Sequence, residues 1–330
     1  MQRQILITVL IAAGIANLTF AGCAMLDTST QVRDADAKMN LGEYKGVKHA
    51  IAVKDFENQS GWSGQWKLGY NLAIMLESAL YDSGRFVVVE RGKLQDIIAE
   101  QDLVTSGRAA KAKDVARTGY IRPARYLATG AITTVEERQS GMGGGIAIKG
   151  VALGAAKSYA QINAIIKIID TTTGEIVAKK QVEGKAGRVK FGVGVMGTVR
   201  GHGFGVGFGG FEKTPLGEAA QDCINQAVMF IAQTMESKPA EGSVVKVSED
   251  GKVIINRGSE FGIEPGMTFV MRQEGELLTD PNTGEILGRE QGKVLGKIKV
   301  SRVAEKLSYC DVIEGNKNPP PGTTVIAATN

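Results

Sequence analysis

Histidine occurs twice in 330 residues, as His49 and His202, and tryptophan twice, as Trp62 and Trp66. So little imidazole leaves nothing with which to build a histidine metal cluster or a His-based triad. No cofactor motif takes its place. Residues 288–294, GREQGKV, are one residue short of a phosphate loop and lack its Ser or Thr. The spaced glycines of 201–209 follow no strand–helix context for a dinucleotide. Glu90, Glu100 and Asp102 are neighbours in sequence only, and a solvated helix face accounts for them. The chain reads as a non-enzyme, with no metal and no cofactor. Charge of one sign is also scarce: 39 Lys and Arg stand against 35 Asp and Glu, a net +4. The basic residues do not cluster, so no nucleic-acid footprint is present. Cysteine is limited to Cys23, Cys223 and Cys310. A disulfide between the last two is open to an exported chain. Cys223 falls in an apolar helix pattern, however, where buried free thiols are common.

One long hydrophobic run is present, at the start. MQRQ carries a single charge at Arg3, and ILITVLIAAGIANLTFA, residues 5–21, follows with none. A charged start, an apolar middle and small residues at a cut form the layout of a secretory signal peptide, here residues 1–22. The AGC that ends it resembles a lipobox, so the mature chain would begin at a lipid-modified Cys23. Phe20 stands where that motif prefers an aliphatic residue. A simple signal peptide with a bystander cysteine, or a single membrane helix near the lower length limit, reads the same letters. Ala24 after the cysteine resembles the default address of such lipoproteins, the outer membrane.

Residues 23–46 are polar and aperiodic and read as a lipidated N-terminus and tether. Strands are expected at 49–56, 86–90 and 125–137, with a further pair across 163–184 around the turn TTTG. Helices are expected at 69–83, at 93–101 with Leu94, Ile97 and Ile98 on one face, and at 112–119. A long helix is expected over 214–236, capped by Thr214, with Leu216, Ala220, Ile224, Ala227, Ile231 and Met235 in one stripe. Residues 47–237 therefore form a mixed α/β domain. KPAEG, residues 238–242, reads as a linker. Residues 243–330 show strands and turns without a good helix, and read as a small all-β, barrel-like domain. The fold class is α+β.

Two segments do not belong to a compact α/β domain: about 136–163, and 185–213. Structureless loops of that length are improbable inside a domain. The second is FGVGVMGTVRGHGFGVGFGGF at its centre, with glycine at nearly every second place. Period two puts Phe191, Val193, Val195, Phe204, Val206 and Phe208 on one face of an extended chain. Lys190, Gly192, Gly194, Gly203, Gly205 and Gly207 fall on the other. One apolar face and one small or polar face, over arms of about nine to eleven residues, mark a membrane-spanning strand. The first face would then meet lipid and the second the lumen. Four strands cannot close a barrel, so several copies would share one, about nine at four strands each in the largest rings known. Two glycine-rich surface loops, with a tendency to stack, would also produce this pattern.

The block FVVVERGKLQDIIAEQDLVTSGR, residues 86–108, resembles the signature of the curli secretion channel family, the CsgG-type outer-membrane lipoproteins. HAIAVKDFENQSG, YLATGAI and IIKIIDTTTGEIV fall in the same order, and the resemblance covers residues 23 to about 236. It implies an acylated chain (palmitate at Cys23), a homo-oligomeric ring, two membrane hairpins per subunit in a shared barrel, and an α/β vestibule in the periplasm. It also implies passage of unfolded amyloid subunits outward without nucleotide hydrolysis. Its implied partners are further copies of the chain, unfolded secreted subunits, accessory periplasmic or surface factors, and membrane lipid. The family narrows its pore at the loop after the first strand. Here that loop is ENQSGWSGQWKLG, which holds Trp62 and Trp66. They are candidates for an aromatic constriction, or anchor the loop, or sit at the membrane interface. Residues from 243 on depart from the curli channel. GSEFGIEPGMTFVMRQEGE and GKIKVSRVAEKLSYCDV resemble the C-terminal β domain of flagellar assembly protein T, a binding module that would hang in the periplasm. A scaffold anchoring an appendage or adhesin, and a periplasmic activator of a cell-wall enzyme, are the alternative functions. The glycine-rich hairpins have no use in the second.

The AGC site makes one claim testable at once. A fatty-acid analogue fed to expressing cells is expected to label the wild type and not Cys23→Ser. Equal labelling of both would remove the lipoprotein reading.

Overall fold

The computed structural model describes residues 27–28, 41–64, 66–110, 113, 115–140, 146–148, 151–195, 214–284, 286–290 and 292–328. In chain order the elements are β1 (Asp27–Thr28), β2 (His49–Val53), β3 (Glu57–Asn58), α1 (Leu68–Asp82), β4 (Phe86–Val89), α2 (Leu94–Thr105), β5 (Tyr126–Ser140), β6 (Ile146–Ile148), β7 (Val151–Asp170), β8 (Ile176–Val195) and α3 (Pro215–Glu236). There follow β9 (Glu241–Val247), β10 (Val253–Ile255), β11 (Thr268–Arg272), β12 (Leu277–Thr279), β13 (Ile286–Arg289), β14 (Val294–Val303), β15 (Ser308–Gly315) and β16 (Thr324–Ala327). The chain divides into two compact units. One holds 1–35, 136–161 and 185–219, and the other holds 36–135, 162–184 and 220–330.

The larger unit is α+β. Its sheet runs β8-β7-β5-β2-β4, with β2 parallel to both β4 and β5. Alternation at period two builds the sheet: Ile162, Ala164, Ile166 and Ile168 of β7 are buried, with the residues between them less so. The expected stripe on α3 is buried at every position from Leu216 to Met235. Gln226 Nε2 of this helix donates to the Glu183 carbonyl of β8 (2.7 Å). Helix α1 packs on β2 and β4 and buries Leu68, Leu72, Leu76 and Leu80. Fully buried Leu and Ile side chains of this kind each contribute about 1.5–3 kcal/mol of transfer free energy. Gly130 of β5 is required by close approach, since a Cβ there would overlap the Ile165 carbonyl and the Phe56 ring.

The C-terminal strands close into a barrel in the order β10-β15-β14-β11-β16-β9, every pair antiparallel. Bulges at Ile254/Ile255, Met271/Arg272, Lys297/Ile298 and Val300/Arg302 supply the bending that closure needs. The barrel does not hang from a linker, contrary to expectation. Val47, just before β2, belongs to the same buried cluster as Val253, Phe261, Phe269 and Val325. Lys48 N–H donates to the Phe261 carbonyl (2.9 Å). Arg122 pairs with Glu260 at 2.5 Å, and the guanidinium groups of Arg122 and Arg257 stand 5.0 and 4.4 Å from the Phe261 ring. The segment 238–242 is anchored too, because the Lys238 carbonyl accepts from His49 Nε2 at 3.2 Å.

Three further expectations are corrected. The tether was read as aperiodic to residue 46, but Asp27 and Thr28 form a strand register with Lys190 and Val189. From Leu41 the chain is also docked: the Arg85 guanidinium, buried beneath the Tyr44 ring, binds the Leu41 carbonyl and Glu236. Of the helix expected over 112–119, residues 115–119 are coil and turn; the alanines there favour a helix, but Gly119 at φ 83° ends any such run. Strand β15, SYCDVIEG, was missed because charge breaks its alternation.

His49 is buried, edge-on to Tyr126 at 5.5 Å. A carbonyl can only accept, so its Nε2 carries the proton toward Lys238. Burial holds its pKa below the ordinary histidine value, Arg257 and Arg125 push the same way, and the Lys238 hydrogen bond opposes them. A base with a depressed folded pKa contributes full stability above its unfolded pKa of about 6.5 and loses it as pH falls below that. The denaturant midpoint of the larger unit is therefore expected to drop between pH 7.5 and pH 5, by at most about 1.4 kcal/mol per pH unit from this group. His49→Asn should flatten that drop; an equally steep drop in the variant would assign it to another group.

Candidate functional site

The expected hairpin segments, 136–163 and 185–213, coincide closely with the two internal stretches of the smaller unit, 136–161 and 185–219. They are extended chain wherever they are described. β5 is 15 residues long, and β7 and β8 are 20 each. At about 3.3 Å per residue, β7 and β8 each span about 65 Å, far more than the 17–20 Å of an ordinary strand. Within the smaller unit β6 pairs antiparallel with β7, Ile146 facing Leu153 and Ile148 facing Val151. The part of β8 from Lys185 to Val195 is about what a tilted strand needs to cross a bilayer.

The predicted face residues divide accordingly. Lys190, Phe191, Gly192, Val193, Gly194 and Val195 all lie in β8, at the alternating positions expected of a strand. Lys190 stands opposite Asp27. Phe204, Val206, Phe208, Gly203, Gly205, Gly207 and Cys23 lie outside the described residues. Among the described residues no helix is long and apolar enough to cross a membrane, which does not bear on strands.

The loop with both tryptophans leaves the sheet at β3, which pairs parallel with β5 through Glu57–Ala131 and Asn58–Ile132. It is tied by its own polar groups. Asn58 Nδ2 donates to the Trp62 carbonyl (2.8 Å), and Ser60 Oγ donates to Asn58 Oδ1 (2.7 Å) while accepting from Trp62 N–H (3.2 Å). Trp62 and Trp66 are half-buried. The Trp62 ring lies over Gly64, where a Cβ would overlap it. The sequence singled out both residues but held no signal for this Asn–Ser brace.

The signature block acts in a different way from a binding motif. Glu90 Oε1 accepts from Lys93 N–H (2.9 Å) at the start of α2, and Arg91 donates to the Arg122 carbonyl (2.7 Å). Its acid and base thus fix the turn between β4 and α2. Beside it lies a cleft of about 650 Å³, lined by Tyr70, Ile74, Tyr81, Val88, Glu77 and Glu90 among others. Burial, then the neighbouring Glu90, raise the Glu77 pKa. Sequence reasoning missed this cleft, because Tyr70, Ile74 and Tyr81 lie off the α1 stripe and carried no signal of their own. The two described thiols are withdrawn from chemistry. Cys223 and Cys310 are free and buried, and burial pushes both thiols up to about 12, so neither is a thiolate near neutral pH.

Residues 38–256 match the family described as Curli production assembly/transport component CsgG. No curated protein matches the chain. Among solved structures, the hypothetical protein CT253 of Chlamydia trachomatis is 11% identical, with 58% of this chain and 99% of that one covered at a TM-score of 0.34. The lipoprotein GNA1162 of Neisseria meningitidis is 14% identical, covering 42% and 83% at 0.24. The PelC dodecamer of Paraburkholderia phytofirmans is 12% identical, covering 62% and 95% at 0.25. Superpositions this partial carry no argument about the site.

Because Trp62 and Trp66 are the chain's only tryptophans, the loop can be followed by its fluorescence. Gly64→Ala is expected to displace the Trp62 ring into water and shift the emission to the red, while stability changes by under about 1 kcal/mol. Unchanged emission would mean that the ring does not rest on Gly64.

Proposed function

The chain belongs to the curli production assembly/transport component CsgG family, and from that premise we propose that it is an outer-membrane lipoprotein whose copies build one shared β-barrel. Each copy contributes two hairpins, 136–163 and 185–213, and the ring conducts an unfolded, amyloid-like polypeptide from periplasm to cell surface without nucleotide hydrolysis. Cys23 carries the acyl anchor, and the α+β unit and the C-terminal barrel face the periplasm. The partners are further copies of the chain, unfolded secreted subunits, accessory periplasmic or surface factors, and lipid. Nucleic acid, metal and cofactor have no part in it, and nothing is catalysed.

One observation carries this reading. Three long strands lead out of the α+β unit, and the compact unit that they enter is made of the two glycine-rich segments. Surface loops would need neither strands of this length nor a unit of their own. In lipid a strand must have both neighbours, so an open set of four strands has to be completed by other copies. At four strands each, about nine copies reach the largest rings known. Glycine on the lumen side leaves a wide bore and offers no side chain to grip a passing chain. Trp62 and Trp66 are the candidates for the narrowing.

A second reading, an anchor for a surface appendage that does not conduct, keeps the same fold and is favoured by the C-terminal barrel, whose strands from β11 on lie beyond the family match. Current separates the two. The purified ring in a planar bilayer is expected to conduct. Val206→Arg sets a charge against hydrocarbon at a cost of about 2–4 kcal/mol per subunit, so insertion should fail. Gly205→Arg sets the same charge in the lumen, so insertion should survive with altered ion selectivity. Equal insertion of the two variants would refute the two-faced strand, and an inserted but silent ring would favour the anchor.

A further inference from the structure

The C-terminal barrel carries an arm that the channel reading leaves unused. Beyond β11 and before β14 the two backbones stay together: Gln273 N–H donates to the Lys293 carbonyl (2.8 Å), and Glu290 N–H to the Glu276 carbonyl (2.9 Å). Between these bonds they approach so closely that a Cβ on Gly275 would collide with the Glu290 carbonyl, and one on Gly292 with the Gln273 carbonyl. Only glycine fits at either place. β12 and β13 then form a two-stranded sheet of their own, with Leu277 opposite Arg289, Leu278 opposite Gly288 and Thr279 opposite Ile286. The Asp280 carboxylate closes the tip by accepting from Asn282 N–H (2.7 Å) and Thr283 N–H (2.9 Å).

This arm is apolar where it should be polar. Leu277, Leu278, Ile286 and Leu287 are 43%, 47%, 55% and 65% exposed. Consecutive residues on a strand point to opposite faces, so both faces carry a large aliphatic side chain. An isolated two-stranded hairpin is marginal in water, and clustered exposed apolar groups mark a contact surface. The charges around them indicate what covers the arm. Glu276 and Glu290 are exposed on it, and Asp280 is at its tip. An acidic rim is repelled by anionic lipid. It matches segment 103–120 of the same chain, where exposed Leu103 (42%) and Tyr120 (78%) accompany exposed Arg108, Lys113 and Arg117.

We propose that the arm of one copy, through Leu277, Leu278, Glu276 and Glu290, docks on the exposed Arg108, Lys113, Arg117 and Tyr120 of the next copy. Two different patches that meet head to tail make a heterologous contact, which gives a ring when the rotation between copies closes. The inference rests on the ring of the preceding reading and adds the periplasmic surface that sets its order. The arm alone is smaller than the about 20–30 residues a side of a standard interface. It therefore reinforces the shared barrel and does not replace it.

The test uses full-length acylated protein in detergent, with ring mass followed on dilution. Glu276→Lys with Glu290→Lys, and separately Lys113→Glu with Arg117→Glu, are each expected to raise the dilution midpoint of the ring by about tenfold. The four changes together should return it to within about threefold of the wild type. Leu278→Cys combined with Tyr120→Cys should give a ladder of cross-linked copies on oxidation, whereas either change alone should not. A wild-type ring indifferent to all four charges, or one that the combined variant fails to rescue, overturns the contact while leaving the channel intact. A wild type that is monomeric throughout overturns the ring and the contact together.

Discussion

A backbone N–H or C=O removed from water needs a partner, and β7 and β8 carry 20 residues each of such groups. Much of this structure follows from meeting that demand. Within the α+β unit the strands pair in a mixed sheet, and α1 and α3 help cover it, so burial and hydrogen bonding are satisfied by the chain itself. Further along the same strands the partners change. β7 takes β6, and β8 takes the short β1 at Val189 and Lys190. Among the described residues β1 covers two residues of β8. A strand edge without a neighbour is solvated in water but has no partner in hydrocarbon. On the proposed barrel reading, the length of the strands and the need for neighbouring copies are one constraint.

The docking of the C-terminal barrel follows a second logic. A barrel on a free linker would diffuse within its tether and present its surface in every direction. Here Val47 enters the barrel's core, Phe261 receives two guanidinium groups, and Glu260 holds Arg122. The Arg122–Glu260 pair is mostly buried and stacks on an aromatic face, so it is screened less than an exposed pair. Its gain is reduced by the desolvation of both charges, and its main consequence is orientation. An arm that leaves such a barrel points in one direction relative to the sheet, which is what a repeated contact around a ring requires.

Periodic elements were legible in the sequence. The α3 stripe from Leu216 to Met235 and the α1 helix follow from 3.6-residue spacing, and the second odd segment stands out by glycine at period two. Elements without periodicity were not. β15 is interrupted by Asp311 and Glu314, and its Cys310 and Ser308 give no strand signal, although both are buried in the closed barrel. β12 and β13 are short, and their paired glycines at 275 and 292 are meaningful only once the two backbones are seen to cross. The domain contact was invisible for another reason. Val47, Arg122 and Phe261 are far apart in sequence, and each has an ordinary explanation alone. Of the site, Trp62 and Trp66 could be named because tryptophan is rare. The cleft beside Glu77 could not, because its tyrosines sit on a helix whose other face explains that helix fully. The resemblance block 86–108 marked the family through residues that brace a turn, so its specificity is of fold and not of ligand.

A ring changes how weak contacts should be weighed. A rim of carboxylates facing a few Lys and Arg side chains contributes little to an isolated pair, since exposed charges are screened beyond about 8–10 Å. In a closed ring each subunit meets two neighbours, and removing one copy breaks both contacts at once. If membrane strands bring two copies together as proposed, the arm contact forms within one assembly, at an effective concentration far above that of free chains. A small acidic arm can therefore select the correct neighbour and register even though it could not hold two soluble chains together. On the proposed reading the barrel in lipid supplies the binding free energy through burial and backbone pairing, and the arm supplies the discrimination, because like charges brought together at that surface oppose a misaligned copy.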